Sequence, residues 1–343
     1  MPRTRIIPKT SIEQISPGAA GLAEVRKFLG DLKWTDMDSL SDNELLSLLQ
    51  KGGLIPAPLF GRKVAVSGSA RESYEIDENG MPLLGLGDAV AEAMLLYGAD
   101  TVLNSKSETM DGARLGDLQR NYGRRCGYVS ADMSTEEGAR HFVRSAAEFL
   151  GGLDTLVLNV GTYSEPAIDK LSYADAKRIF DLNVAGAMFA VSEFIREHGH
   201  SVKKGRIVIT TSINAKQSEV GHMLYDGSKG WLESITRSIA LDVAERGLDI
   251  RVNAVAPGLH ETPLTRKAIQ SDPIVAKVID AMIPLGIGDA ASVVMPYVFL
   301  ANPANDYMSG ASLDVSGGLG AAQMMPERVV ASLRDILGSE EDS

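Results

Sequence analysis

A chain of 343 residues is long enough for one large domain with an appendage, or for two small ones. Its 44% hydrophobic content is ordinary for a globular protein, and a net charge of −11 argues against a nucleic-acid or anionic-membrane surface. Cys126 is the single cysteine, which leaves no intramolecular disulfide and fits a reducing compartment. No run approaches the roughly 18 apolar residues of a membrane span, and the opening MPRTRIIPKTSIEQ has no secretory apolar core, so a cytoplasmic protein is expected.

In chain order, residues 1–60 read as a helical extension. Leu22, Val25, Phe28 and Leu29 recur at helical spacing within Ala20–Leu32, and Ser41 with Glu44 forms a capping-box pattern ahead of a second short helix. KGGLIPAP then reads as a stop and a linker. Two short helices bury no core alone, so they are expected to pack on the main domain or on a partner subunit.

Residues 61–343 read as one α/β domain. Strands are expected at Lys63–Ser67, Asp100–Asn104, Gly127–Ser130, Thr155–Asn159, Arg206–Thr211, Ile250–Ala256 and Ser312–Val315. Helices are expected at Gly87–Tyr97, Thr135–Leu150, Ser172–Glu197, Tyr225–Arg246 and Ala290–Leu300. Short β-branched runs alternating with helices imply a parallel sheet covered on both faces, a doubly wound fold.

The first strand runs into Gly68, as a phosphate-binding turn would, yet the next glycines, Gly85 and Gly87, come only after an intervening stretch. Residues 71–84 hold a turn signal around Asn79-Gly80, which suggests a small excursion, a hairpin, that leaves the turn and returns to it. Further on, Tyr225 and Lys229 are four apart on one helix face. A lysine beside a phenol favours the phenolate, which suits a tyrosine acting as acid or base. Ser212 ends the strand GRIVITTS, placed to hold a substrate oxygen.

Together these residues closely resemble the short-chain dehydrogenase/reductase family, the compact Tyr-x-x-x-Lys type. Ser212 precedes Tyr225 by 13 positions, and LNVG (Leu158 to Gly161) resembles the family's Asn-Asn-Ala-Gly with Leu158 for the first asparagine. NVAG (Asn183 to Gly186), RVNAVAPGLHETPL (Arg251 to Leu264) and YMSGASLDVSGG (Tyr307 to Gly318) resemble the later blocks, the last with Ser316 where aspartate is common. The order is that of the family from about Lys63 to Gly320, and SGSAR…GLG resembles its Thr-Gly-x-x-x-Gly-x-Gly turn split by an insertion.

The resemblance implies a Rossmann-type fold and hydride transfer between a nicotinamide and a secondary alcohol or ketone. Tyr225 would be the general acid/base, Ser212 would orient the substrate oxygen, and Lys229 would lower the tyrosine pKa and bind ribose. Asn183 would hold a relay water. Gly68, Ser69, Arg71, Gly85, Leu86, Gly87, Asn159, Gly161, Pro257, Gly258 and Thr262 would flank the cofactor, with Asp132 near the adenine. Lys106, where an acid would choose NAD(H), favours NADP(H), with Arg71 as a second basic residue. No metal is implied.

His222, Met223 and the stretch Leu259–Met282 are expected to line the substrate pocket, where Leu264, Ile269, Val275 and Ile279 hint at an apolar substrate. Family members pair through the helices matching Ser172–Glu197 and Tyr225–Arg246, implying a homodimer or homotetramer. Two other readings remain at this point: a sugar-nucleotide epimerase or dehydratase, and an inactive cofactor-binding or scaffolding homologue whose insertion occludes the site.

Overall fold

The computed structural model describes residues 57–76, 83–163, 166–266, 269 and 273–321. The expected helices of the first 56 residues, the Asn79-Gly80 turn and the tail after Ala322 lie outside them.

Seven strands form one parallel sheet: β1 (Lys63–Val66), β2 (Asp100–Ser105), β3 (Cys126–Ser130), β4 (Thr155–Leu158), β5 (Gly205–Thr210), β6 (Ile250–Pro257) and β9 (Ser312–Val315). Their order is β3-β2-β1-β4-β5-β6-β9, with β7 (His260–Glu261) and β8 (Gly288–Asp289) pairing separately. Strands β1, β4 and β5 are almost wholly buried, as a sheet covered on both faces requires. The chain reverses its winding between β1 and β4, and the carboxyl ends of these neighbours open onto the crevice where such sheets bind ligands.

The helices are α1 (Leu86–Leu96), α2 (Gly112–Tyr122), α3 (Glu136–Leu150), α4 (Tyr173–Phe180), α5 (Gly186–His198), α6 (Met223–Glu245), α7 (Pro273–Met282) and α8 (Val294–Ala301). Helix α3 shows why such segments are helical. Thr135 caps its start by accepting from Gly138 N (3.0 Å), Gly151 ends it in the left-handed region, and Ala139, Phe142, Val143, Ala146 and Leu150 make one buried stripe. One core lies between the sheet and α3, α5 and α6, and a second holds α1, α2 and α8 on the other face.

Helix α2 is absent from the sequence expectations. Its composition is polar and it carries Gly112 and Gly116, so propensity hides it. The signal was the Asp111 cap, accepting from Ala113 N (3.0 Å) and Arg114 N (3.1 Å), with Arg114, Leu118 and Tyr122 four apart and buried. The expected Ser172–Glu197 helix is α4 and α5 joined by a π-helical turn, Asp181–Ala185. Leu158 in place of asparagine is buried in the first core. Ser316 Oγ accepts from Gly320 N (2.9 Å) and donates to Asp314 (2.5 Å), fixing the turn that backs onto Gly258.

Helices α3 and α5 are clamped through Glu193, which is 0% exposed and accepts from Arg140 (3.0 Å), Arg144 (3.3 Å) and Arg196 (2.7 Å). Burial alone would raise its pKa, but the three arginines hold it below the ordinary glutamate value. A depressed carboxylate adds stability above its unfolded pKa and loses it as pH falls through the folded one. Glu193→Ala is expected to lower the melting temperature by several degrees at neutral pH, with the gap from the parent closing on acidification in thermal melts.

Candidate active site

The split glycine turn closes on itself. Ser67 Oγ accepts from Asn159 N (3.0 Å) and Val160 N (3.3 Å), tying the end of β1 to the end of β4. Gly68 has a φ of +61°, and its N–H donates to Asn104 Oδ1 (3.1 Å). A Cβ at Gly87 would lie 2.1 Å from the Gly68 carbonyl oxygen and 2.5 Å from Asn159 Nδ2, so only glycine fits where α1 meets the turn. The excursion's ends meet as well, Leu83 N donating to Glu75 O (2.7 Å). Helix α1 makes its first internal bond from Ala89 N to Gly85 O (3.1 Å), leaving the N–H groups of its first turn without intrahelical partners at the end that borders the cavity.

A cavity of about 270 Å³ brings together Gly68, Arg71, Gly85, Leu86, Gly87, Asn159, Gly161, Ser212, Tyr225, Lys229, Pro257, Gly258 and Thr262. Lys106 and Asp132 line a neighbouring cavity of about 670 Å³ that shares Gly68 and Val160 with it. Ser69 is buried beneath the turn, its hydroxyl donating to Val66 O (2.6 Å) and accepting from Asn104 N (3.2 Å). Asp132 accepts from Ser134 N (2.9 Å) and Oγ (2.7 Å), which lowers its pKa. Sequence reasoning missed Val160, Thr210 and Thr211 in the first cavity, and covered His260 and Thr265 only within the stretch Leu259–Met282. The threonines give no signal of their own; His260 stood inside the quoted Pro-Gly block. Of the four apolar residues expected around the substrate, Leu264 lines this cavity, while the side chain of Val275 lies outside the described residues. The His222 ring stands 6.2 Å from that of Tyr225, with Nδ1 3.0 Å from Glu219.

Lys229 reaches the cavity floor from α6. Its Nζ donates to Thr210 O (2.9 Å) and lies 5.6 Å from the centre of the Tyr225 ring. Burial pushes the Lys229 pKa down to about 8. The Tyr225 pKa is raised by burial, opposed by the hydrogen bond with Ser212 and reinforced by the charges of Asp226 and Glu219. The shift thus runs opposite to the one expected from Lys229 alone, because the ammonium faces the ring and desolvation outweighs it in this structure.

Asn183 sits on the π-helical turn, a distortion common at functional sites, and is 1% exposed. Its Oδ1 accepts from Thr162 N (2.8 Å), and Nδ2 donates to Thr162 O (2.8 Å) and Ser228 Oγ (3.0 Å). A Cβ at Gly161 would lie 3.4 Å from Asn183 Oδ1 and 3.5 Å from Lys229 Nζ, so glycine keeps that gap open.

A family model of short-chain dehydrogenases, described as Enoyl-(Acyl carrier protein) reductase, matches residues 83–320. The chain belongs to the short-chain dehydrogenase/reductase family. Within this family it is 31% identical over 270 residues to a glucose 1-dehydrogenase of Gluconobacter oxydans, covering 77% of this chain and 96% of the relative. Among solved structures of the family, a short chain dehydrogenase from Burkholderia cenocepacia in complex with NADP is 27% identical with a TM-score of 0.64, covering 77% of this chain and all of that one. An NADH-dependent reductase A1-R′ responsible for alginate metabolism is 26% identical with a TM-score of 0.65, covering 77% and 98%.

The residues present fit a nicotinamide dinucleotide: a glycine-floored turn, a helix N-terminus and a buried lysine share one crevice. Gly87→Ala is therefore expected to abolish dinucleotide binding, measured by nucleotide fluorescence, because its Cβ has no room. A dinucleotide that favours the Lys229 ammonium must bind with proton uptake above pH about 8. Affinity is expected to weaken as pH rises past that value, and Lys229→Met to flatten the dependence.

Proposed function

We propose that this oxidoreductase uses NADP(H) to interconvert a secondary alcohol and a ketone. The observation that carries the reading is Tyr225, hydrogen-bonded to Ser212 and faced by Lys229, in the same cavity as the closed glycine turn. When bound, the dinucleotide supplies or accepts the hydride. Ser212 holds the substrate oxygen, and in reduction the Tyr225 Oη proton passes to that oxygen. Lys229 stabilises the phenolate left behind, and Asn183, fixed by Thr162, orders the water that returns a proton.

Support for NADP(H) comes from the end of β2, where Ser105, Lys106 and Ser107 offer no carboxylate to a ribose 2′-hydroxyl. The scaffolding reading loses ground because the described part of the insertion turns toward α1 and leaves a cavity lined by Ser212, Tyr225 and Lys229. Pairing of copies through α5 and α6 is supported by exposed Met188 and Leu241 on those helices.

Tyr225→Phe is expected to cut turnover of ketones at least about a hundredfold while sparing NADPH binding. Equal activity in variant and parent overturns the assigned acid. Titration of the parent with NADPH and NADH tests the cofactor; tighter NADH binding overturns the NADP(H) assignment and leaves the reductase reading intact.

A further inference from the structure

Residues 71–84 interrupt the cofactor turn, and their described ends converge on one buried carboxylate. Asp88, in the first turn of α1, is 4% exposed. It accepts from the Tyr74 hydroxyl (2.7 Å) and from Gly85 N (3.1 Å), and Arg71 Nε stands 3.6 Å from its Oδ2. Arg71 and Tyr74 flank the start of the insertion, and Gly85 follows its end. The described ends of the insertion are thus fastened to the helix that opens onto the dinucleotide crevice.

A buried carboxylate is unfavourable unless its charge is answered, and at the N-terminus of α1 the helix dipole is one such answer. The Arg71 guanidinium stands beside Asp88 as an ion pair, with Nη2 next to Gly85 and Nε making no hydrogen bond among the described residues. Arg71 lines the main cavity and also a polar cavity walled by Ser73, Asp88 and Ser107. Ser107 follows Lys106 just beyond β2, so Arg71 and Lys106 border adjoining cavities that share Gly68. The Tyr74 ring is itself fixed, with the Arg114 guanidinium 5.9 Å from its centre and Arg114 paired to buried Glu92.

We propose that Tyr74 and Asp88 are positioning residues that hold Arg71 in the geometry for the 2′-phosphate of NADP(H), which makes the insertion a working part of cofactor discrimination. This rests on the NADP(H) reading. Tyr74 holds Asp88, and Asp88 holds the guanidinium by ion pairing, leaving its N–H donors for phosphate oxygens.

The test is fluorescence titration of NADPH and NADH with the full chain, parent against Tyr74→Phe, Arg71→Ala and the double variant. Tyr74→Phe keeps the ring and removes one hydroxyl, and circular dichroism with melting temperature establishes that it folds. NADPH affinity should fall about fivefold with NADH affinity unchanged, the loss of one hydrogen bond felt through its partner. The double variant should be no weaker than Arg71→Ala alone, because Tyr74 acts only through Arg71. Equal weakening of both nucleotides would place Arg71 on the pyrophosphate and overturn the proposal; so would additive losses, or no loss. A parent that prefers NADH would instead remove the NADP(H) reading beneath it, which the variants do not decide. Asp88→Asn, with its charge removed and shape kept, should match Tyr74→Phe in sparing NADH; weakening of both would also overturn it.

Discussion

The close approach of Gly87 to the Gly68 carbonyl is the contact on which the site depends. A side chain on Gly87 would push α1 off the end of β1, and with it the helix N-terminus that faces the crevice. Asn159 bonds across the same junction, Nδ2 donating to Gly68 O (3.2 Å) while its Oδ1 accepts from Thr210 (3.4 Å). Thr210 in turn bonds Lys229 through its carbonyl and buried Tyr297 through its hydroxyl (2.7 Å). Turn, sheet and acid/base helix are thereby one hydrogen-bonded unit, and such networks specify geometry more sharply than apolar packing does.

The tyrosine and lysine illustrate a conflict between proximity and solvent. Adjacent cation and phenol favour proton loss from the phenol, whereas burial disfavours charge on both. In this site burial shifts each group toward its neutral form, so the charged arrangement waits on a ligand that brings its own charges and excludes water. That is a physical reason for catalysis and binding to be linked here.

Much of the architecture was legible because it rests on periodicity. The seven strands and most sheet-covering helices follow from apolar spacing, and most motif residues from Gly68 to Thr262 line one cavity, with Lys106 and Asp132 in its neighbour. What escaped was governed by contacts between distant segments. Helix α2 is amphipathic only when Arg114 counts as buried, and that requires its pairing with Glu92. The π-turn that aims Asn183 has no composition signature. Direction of the Tyr225 shift depended on how deeply α6 is buried, a property of the assembled fold. Ser69 reads as a ligand contact from its place in the turn, yet its hydroxyl is spent on Val66 and Asn104.

The backbone bond from Leu83 to Glu75 gives the excursion a neck. Closing a loop costs entropy that grows only with the logarithm of its length. Once the neck is made, chain beyond it can lengthen, shorten or change composition with little effect on the turn below. This part of the molecule is therefore an attachment port, where a family scaffold can acquire new recognition surface beside its cofactor without rebuilding the floor that holds it.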